Sequence, residues 1–469
     1  METLQRTANR GSVATGGYEV GNSLKVESDN NEYLSRSTSG ATDGNSTQHT
    51  ISVWVKRTEL GVDSEPVSAG GIGRFRFESD DTFSYQFRSG KEIITTRKFR
   101  DTGSWYHIVA AADSSQSTAS NRMKLYVNGV QETSFGTANY QDQNQAAPGW
   151  GKNTLYSLNV GAAADNTRKF NGYIAEMYYI DGQTLDPTYF GEFDEDSNIW
   201  KPKAFTGTHG SLDTYLDFSD SSNLGKNSGG TTDLTANNIT AADQATDTPT
   251  NNFCTWLSDG TQFNVSTDNE TFKEGGTKFA SRAGTGWTAV YPTQMMAGGK
   301  WYMEVKVHTS GELTMYGAMP VARINSLERQ NRYHGQDTDG SIGLYGDGGT
   351  IYYGTAGSGG LGSSVSAGDI IGLAIDMENY KMYFAVNNTY VESGNPAGNS
   401  NGRSIEQEPY VFSIAKYSPN QDTETNFGGY TVFSNTHTNT DENGLGSFVY
   451  APPSGFLALC TKNLATTGG

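Results

Sequence analysis

The sequence has only two cysteines, no long apolar run and fewer bases than acids. No segment approaches about 20 consecutive apolar residues, the length needed to span a membrane. Residues 1–17 also lack the apolar region of a secretory leader. We therefore expect a protein that is made in a cytoplasm, stays soluble there and inserts into no membrane. No helical apolar stripe exceeds about three turns, and no heptads are present to build a coiled coil.

The charge balance limits the possible partners. The 51 acidic residues outnumber the 33 lysines and arginines, which gives a net charge of -18 and a pI of about 4.8. A surface this negative repels phosphate backbones, so we expect no nucleic-acid partner. The same acidity keeps a protein soluble when it is displayed in many copies.

The two cysteines, Cys254 and Cys460, lie near the two ends of the second half of the chain. If those ends pair in a sandwich, the thiols could lie close enough to form a disulfide. The alternative, which we favour, is two small buried apolar side chains in a reducing compartment. A zinc site is not supported, because the two residues lack any C-x-x-C spacing.

The residues that are abundant favour β structure. The chain has 57 glycines, 12% aromatic residues and little helical periodicity, a composition typical of strands joined by many turns. Apolar residues alternate with small or polar ones from Ile371 to Ile375 and again from Met382 to Val386, on either side of a polar break at 378–380. This pattern predicts a β-hairpin with one buried face. We predict an all-β protein with two tandem antiparallel β-sandwiches.

Turn-forming and weakly apolar stretches divide the chain. We predict an N-terminal arm over 1–16, a first sandwich over 17–190, an extended linker over 191–250, a second sandwich over 251–463 and a tail over 464–469. The linker is expected to be clamped by a few apolar side chains, namely Trp200, Tyr215, Leu216 and Phe218.

Four motifs stand out in the first half, namely SVWVKR (52–57), WYHIVAAAD (105–113), KLYVNGV (124–130) and FNGYIAEMYYIDG (170–182). By these motifs the first half resembles the laminin-G-like, concanavalin A-like jelly-roll family. The resemblance implies two stacked antiparallel sheets, with loops at one edge that bind sugars or proteins.

The second half contains the motifs KWYMEVKV (300–307), GLYGDGGTIYYG (343–354), the stretch 368–388 and PSGFLALC (453–460). By these motifs it resembles the SPRY sandwich family. One departure is Asn388, which stands where the family usually has the glycine of an Asn-Gly turn. Asparagine also tolerates the left-handed conformation, so we expect the turn to form.

The order of the two halves, joined by a WKPK connector, resembles that of phage virion proteins from marine viruses. The resemblance implies a non-enzymatic tail-fibre or receptor-binding component, made in the bacterial cytoplasm and assembled with other virion proteins as a homo-oligomer, with a trimer favoured. Such a protein would attach the particle to host-surface glycans or proteins. A capsid decoration or tail-junction protein is one alternative, and a polysaccharide-degrading glycosidase is another.

The glycosidase alternative needs two carboxylates on one face. In an extended segment, Glu192, Asp194 and Asp196 would meet that need, but they lie outside the alternating core. The histidines are scattered and no G-x-S-x-G elbow precedes a helix. We interpret His107 as a packed or surface residue and expect no enzyme activity.

Exposed loop aromatics beside acids or amides favour sugar binding, because they combine apolar area with a hydrogen-bonding tip. One such group is Tyr140, Asp142 and Trp150. The other is Tyr333, Asp337, Tyr345, Asp347, Tyr352 and Tyr353. Since adjacent strand residues face opposite ways, only one of the last two tyrosines can point inward.

Calcium is the one cofactor considered. Laminin-G-like folds sometimes hold this hard cation with loop oxygens. By that resemblance, Asp113, Asn121, Asp142 and Asp165 are the ligands to check, although no dense D-x-D-x-D spacing exists.

Overall fold

The computed structural model describes residues 17–36, 44–147, 149–150, 157–258, 271–280, 286–324, 332–417 and 422–467. These residues form two compact units, which meet in the sequence between Asn251 and Asn252. Antiparallel strands dominate both units, as the alternating pattern predicts. Within the described ranges, no helix has the length and apolar character to cross a membrane.

The first unit is built from strands that the structure places throughout residues 23–245. In chain order they are β1 (Ser23–Val26), β2 (Tyr33–Arg36), β3 (Gln48–Arg57), β4 (Ser64–Ala69), β5 (Gly73–Phe77), β6 (Phe83–Arg88), β7 (Lys91–Thr95), β8 (Tyr106–Asp113), β9 (Met123–Val127), β10 (Val130–Gln131), β11 (Phe135–Ala138), β12 (Leu158–Val160), β13 (Gly172–Asp181), β14 (Gly191–Phe193), β15 (Trp200–Pro202), β16 (Thr214–Leu216), β17 (Thr235–Asn237) and β18 (Gln244–Ala245).

Two sheets face each other in this unit. Sheet A has the order β10-β9-β8-β3-β13-β1-β18, with β16 also paired to β13, and sheet B has the order β11-β7-β6-β5-β4-β12-β2-β17. Alternation along β3 sends Ile51, Val53 and Val55 into the core between the sheets. It leaves Ser52 and Trp54 on the other face of sheet A.

The segment 191–250 is part of the first unit, unlike the extended linker predicted from its composition. Its strand β16 pairs with β13, with Leu216 opposite Met177. Farther along, β17 and β18 pair with β2 and β1. Long-range strand pairing overrides the low apolar content that suggested a linker.

Two buried lysines fix the end of this segment to sheet A. The Lys25 ammonium lies 2.9 Å from carboxylate oxygens of both Glu32 and Asp243. The Lys56 ammonium lies 2.8 Å from a carboxylate oxygen of Asp247. Both side chains are buried, with 0% of Lys56 and 1% of Asp247 exposed. Charges this deeply buried require such partners.

The second unit contains the remaining strands and a short C-terminal helix. These are β19 (Thr271–Lys273), β20 (Lys278–Ala280), β21 (Thr288–Val290), β22 (Lys300–Lys306), β23 (Thr314–Pro320), β24 (Ile342–Tyr345), β25 (Thr350–Tyr353), β26 (Ala356–Gly360), β27 (Ile370–Asp376), β28 (Lys381–Val386), β29 (Thr389–Tyr390), β30 (Arg403–Ser404), β31 (Tyr410–Lys416), β32 (Asp422–Asn426), β33 (Leu457–Ala458) and α1 (Thr461–Thr467).

Sheet C of this unit has the order β19-β20-β32-β22-β27-β28-β29, with β30 and β33 paired to β28 and β22. Sheet D has the order β21-β31-β23-β24-β25-β26. Part of the predicted C-terminal tail belongs to α1, whose Leu464 packs into the core of the unit.

The hairpin predicted from alternation is present. Strands β27 and β28 pair in register from Ile371 opposite Val386 to Asp376 opposite Lys381. Asn387 and Asn388 then form the next turn with φ of 47° and 65°, and β29 follows it. The asparagine at 388 thus adopts the left-handed conformation that the sequence analysis expected.

The two cysteines are buried, and no disulfide joins them. Phe253 bridges Cys460, and the Cys254 amide donates to the carbonyl of Leu459. Cys254 shares one apolar cluster with Leu459, whereas Cys460 shares another with Phe253. Phe253 lies directly opposite Cys460 in the antiparallel bridge, so these two side chains point to the same face. Cys254 follows Phe253 and points to the other face, so the two thiols lie on opposite faces. This confirms the interpretation as two small apolar side chains.

The edge strand β26 of sheet D is covered by an ion pair. The Arg403 Nη2 donates to the Ser358 carbonyl at 2.8 Å, and the Gly360 amide donates to Glu392 Oε1 at 3.1 Å. Arg403 Nε also donates to Glu392 Oε2 at 2.8 Å. Together the two side chains supply the donor and the acceptor that a further strand would supply.

Candidate functional site

The candidate site lies on the outer face of sheet D. Alternation along β24 places Ile342 and Leu344 in the core, which leaves Tyr345 on the outer face. In the same way Ile351 of β25 points inward and Tyr352 points outward. These tyrosines pack on an apolar layer formed mainly by Met315, Met319, Val411 and Ala415.

A tryptophan and a further tyrosine join the same outer face from the strands at the opposite edge of sheet D, β21 and β31. Thr288 of β21 is opposite Lys416 of β31, so the residues just beyond them, Trp287 and Tyr417, are neighbours. Their ring centroids are 5.6 Å apart. Trp287 is half-buried on the same layer, and Tyr417 is 38% exposed.

Tyr333 completes the group from the loop that precedes β24. This loop lies directly on the sheet because residue 343 is a glycine. A Cβ at Gly343 would be 2.9 Å from the Cβ of His334, closer than real Cβ contacts allow. Glycine at this position therefore brings Tyr333 to 5.4 Å from the ring of Tyr352.

We call Trp287, Tyr333, Tyr345, Tyr352 and Tyr417 the tryptophan–tyrosine cluster. Its four half-buried rings pack their bodies on the sheet while part of each reaches solvent. Half-exposed rings of this kind offer apolar area together with hydroxyl groups, which suits an amphipathic ligand.

Acids flank the cluster. Asp337 forms an ion pair with Arg332 at the loop that carries Tyr333. Asp347 is exposed and accepts a hydrogen bond from Ser364 Oγ at 3.0 Å. Burial, together with the negative charge of Asp347, raises the pKa of Tyr345.

The structure thus brings together Tyr333, Tyr345 and Tyr352 of the second predicted group, with Asp347 beside them. Sequence reasoning missed Trp287 and Tyr417. The signal was present, because Trp287, Ala289 and Tyr291 alternate along β21 and fall on one face. Tyr352 faces outward, and Tyr353 is 36% exposed at the end of its strand.

The first predicted group is not an exposed aromatic site. Trp150 is only 1% exposed, and its indole N–H donates to the carbonyl of Gln86. A Cβ at Gly73 would be 2.4 Å from the indole nitrogen, so the glycine makes room for Trp150 in the core. Tyr140 packs partly against that core, and the exposed Asp142 pairs with Lys91 at 3.0 Å.

Three of the four predicted calcium ligands, Asp113, Asp142 and Asp165, are engaged with other partners. Asp113 accepts hydrogen bonds from Ser115 and Gln116. Asp165 accepts from Thr167 and lies 3.6 Å from Arg168. Asn121 is exposed in a short 3₁₀ turn over Ala119–Asn121, and Asp142 has the lysine partner given above. In the part of the chain that the structure describes, no group of three or more His, Cys, Asp or Glu could hold a metal ion.

The carboxylates considered for a glycosidase lie on the small hairpin of β14 and β15. Lys201 lies 3.6 Å from Glu192 and 3.1 Å from Asp194. Hydrogen bonds from Ser197 and Lys201 lower the pKa of Asp194 to about 2. A carboxyl group with this pKa is ionised at neutral pH and cannot serve there as a general acid.

His107 contacts a serine but is sealed inside the first unit. The Trp200 indole N–H donates to His107 Nδ1 at 2.8 Å, so the ring proton is on Nε2, which lies 2.8 Å from Ser52 Oγ. The ring stacks on Trp54 with centroids 4.7 Å apart. Because His107 and Ser52 are buried, they form a packed pair and not an accessible nucleophile and base.

The burial of His107 gives a test by NMR. Burial lowers the pKa of this imidazole to about 3. We expect its Cε1 shift to stay constant from about pH 8 to about pH 5, the range in which an exposed histidine titrates. The same residue in urea-unfolded protein is the control, and it should titrate near pH ~6.5. An inflection in the folded protein within this range would contradict the buried hydrogen bond to Trp200.

Comparisons with known proteins give one family match within each of the two compact units. Residues 28–185 match the family model described as the concanavalin A-like lectin/glucanases superfamily. Residues 300–428 match that of the SPRY domain. No curated protein matches the sequence.

Solved structures that resemble part of the chain include three SPRY domains. That of human HERC1 is 15% identical, with 32% of this chain and 89% of that chain covered and a TM-score of 0.26. A human SPRY domain is 17% identical, with 34% and 96% covered and a TM-score of 0.24. The TRIM65 PSpry domain is 12% identical, with 37% and 88% covered and a TM-score of 0.26. By the two family matches, this chain carries a concanavalin A-like domain followed by a SPRY domain.

Proposed function

We propose that this chain is a non-enzymatic attachment protein of a bacteriophage particle, and that the tryptophan–tyrosine cluster contacts a glycan on the host surface. The observation that carries the proposal is the cluster itself, in which five aromatic side chains converge on one face of sheet D beside Asp347. Flat apolar rings with polar tips are the surfaces on which sugars stack.

The domain order supports the particle context. A concanavalin A-like domain, a WKPK connector and a SPRY domain follow one another as in the virion proteins that the sequence resembles. A net charge of -18 suits a protein present in many copies side by side. Weak single sites would then gain about 10²- to 10⁴-fold in avidity from multiple copies, a trimer being the expected assembly.

Replacing one ring should weaken glycan binding. We expect Trp287→Leu or Tyr352→Ala to lower the affinity for a glycan identified on an array of host-surface sugars by about 2- to 12-fold. The reason is that one aromatic contact of this kind contributes about 0.5–1.5 kcal/mol. Tyr353→Ala is the matched control, because Tyr353 is the next residue of the same strand and is 36% exposed. Equal losses in the control and in the cluster variants would contradict this location of the site.

The attachment role itself is tested on particles. Phage that lack this protein should adsorb to their host poorly, and addition of the purified protein should compete with adsorption of the intact phage. Normal adsorption without the protein would refute the role. A copy number in the particle that matches the capsid lattice would instead favour a capsid decoration protein.

A further inference from the structure

Four rings of the tryptophan–tyrosine cluster form a closed circuit. The ring centroids of Trp287 and Tyr333 are 5.3 Å apart, and those of Tyr333 and Tyr352 are 5.4 Å apart. Tyr345 closes the circuit at 6.1 Å from both Tyr352 and Trp287. Each ring thus has two aromatic neighbours within the circuit.

The rings of the circuit are inclined to one another. Successive interplanar angles are 55°, 77°, 82° and 57°. The pair Tyr178 and Tyr215, by contrast, is stacked at 6° with centroids 4.2 Å apart. A flat stack offers one planar surface to a ligand, whereas inclined rings offer their negative faces from several directions.

Partial exposure separates this circuit from ordinary core packing. Phe75 and Phe83 are also inclined, at 79°, but both are fully buried in the first unit. The four rings of the circuit remain half-buried at the surface of sheet D. They can therefore be reached by a ligand without any rearrangement of the core.

The charge around the circuit favours a cation. Asp347 is exposed two residues after Tyr345, and after burial its negative charge is the next cause of the raised pKa of that tyrosine. The nearby Arg332 is neutralised by its ion pair with Asp337. The whole chain carries a net charge of -18, so a cation is attracted and an acidic sugar is repelled.

We infer that the circuit of Trp287, Tyr333, Tyr345 and Tyr352 binds a quaternary ammonium group, with Asp347 as its counter-charge. Aromatic faces attract such cations through the ring quadrupole, tryptophan most strongly. A trimethylammonium head is compact, weakly hydrated and presents methyl groups in all directions, which matches inclined rings better than it matches a single plane. The inference rests on the proposed function, in which this cluster is the attachment site, and it names a choline-type substituent as the group recognised on the host surface.

The test compares choline with 3,3-dimethylbutan-1-ol in titrations of the full chain followed by NMR. The two molecules share their shape, but the alcohol has a neutral carbon in place of the ammonium nitrogen. We expect choline to bind at least tenfold more tightly. Equal affinities would mean a merely apolar site, and no binding of choline would leave no cation site; either result overturns the inference.

Variants place the site and keep the test independent of folding. Trp287→Leu and Tyr352→Leu should each lower choline affinity severalfold, and Asp347→Asn should lower it and weaken its dependence on salt. Tyr353→Leu is the control and should change neither. A variant that loses its thermal unfolding transition is set aside, and the others decide. Unchanged affinity in every folded variant would also overturn the inference.

The outcomes separate this inference from the proposed function. If a neutral glycan binds and Trp287→Leu weakens the binding while choline does not bind, the cluster is an attachment site for sugars and the ammonium inference fails. If choline binds but phage without the protein adsorb normally, the inference stands and the attachment role fails.

Discussion

A fragment of residues 17–190, which ends where the first sandwich was predicted to end, is expected to remain unfolded. A fragment of residues 17–251 is expected to fold cooperatively. The difference arises because the segment 191–250 covers one face of sheet A and supplies strands β16, β18 and β17, which pair with β13, β1 and β2. This face carries the buried apolar side chains Val109, Tyr178 and Ile180 beside the buried polar groups of Ser52 and His107, and it would be exposed to water without the segment.

Trp200 shows how the segment covers the sheet. It is only 7% exposed and lies over His107, with ring centroids 5.9 Å apart. A Cβ at Gly129 would be 2.3 Å from its ring, so the tryptophan fits tightly against the β9–β10 hairpin. Burying a tryptophan removes about 150–250 Å² from water, which corresponds to about 4–6 kcal/mol. Removing this one side chain already costs a large part of the stability of a typical domain.

The shorter fragment also leaves two lysines without the carboxylates that the longer one supplies. Lys25 would lose Asp243, and Lys56 would lose Asp247. Circular dichroism and urea unfolding of the two fragments measure the result. A cooperative transition of the fragment 17–190 at the same urea concentration as that of 17–251 would contradict the assignment of 191–250 to the first unit.

Replacing Asp247 by alanine is expected to lower the free energy of unfolding of the first unit by about 3–5 kcal/mol. The substitution removes the carboxylate 2.8 Å from the buried Lys56 ammonium. It also removes the acceptor of the Trp105 indole N–H at 3.1 Å. Burying a charge after its partner is lost costs more than the pair itself contributes. Urea titration of the fragment 17–251 measures the change.

Two further variants identify the cause. The double substitution Lys56→Met with Asp247→Leu should recover much of the loss, because it removes both charges from the interior. Asp220→Ala is the matched control: Asp220 pairs with Lys226 at 3.3 Å on the surface, and its removal should change the unfolding midpoint little. If Asp247→Ala and Asp220→Ala have the same effect, the buried pair does not anchor the segment.

Local patterning predicted most of the fold. Period-two alternation located the β27–β28 hairpin, and the asparagine pair at 387 and 388 predicted the turn after it. Both features depend on neighbours in the sequence. The outer face of sheet D was predicted only in part, because Tyr417 and Trp287 meet through a strand pair about 130 residues apart in sequence.

The errors have a common physical origin in long-range contacts. Asp243 and Asp247 resemble solvated acids in a polar segment, since their lysine partners lie about 200 residues earlier. Trp150 stands among polar loop residues, and nothing near it indicates that Gly73 opens a space for its ring. Composition describes a segment by itself, whereas burial depends on what the rest of the chain brings to it.

The ion pair of Arg403 and Glu392 bears on how this protein tolerates crowding. An open rim of a β-sheet can recruit the same rim of an identical molecule, and such contacts extend into insoluble ribbons. Here the guanidinium and the carboxylate occupy the hydrogen-bonding positions of Ser358 and Gly360. At the β26 edge, molecules packed at high local concentration thus meet a charged rim whose groups at Ser358 and Gly360 are already bonded, and this protection adds to the repulsion between acidic surfaces.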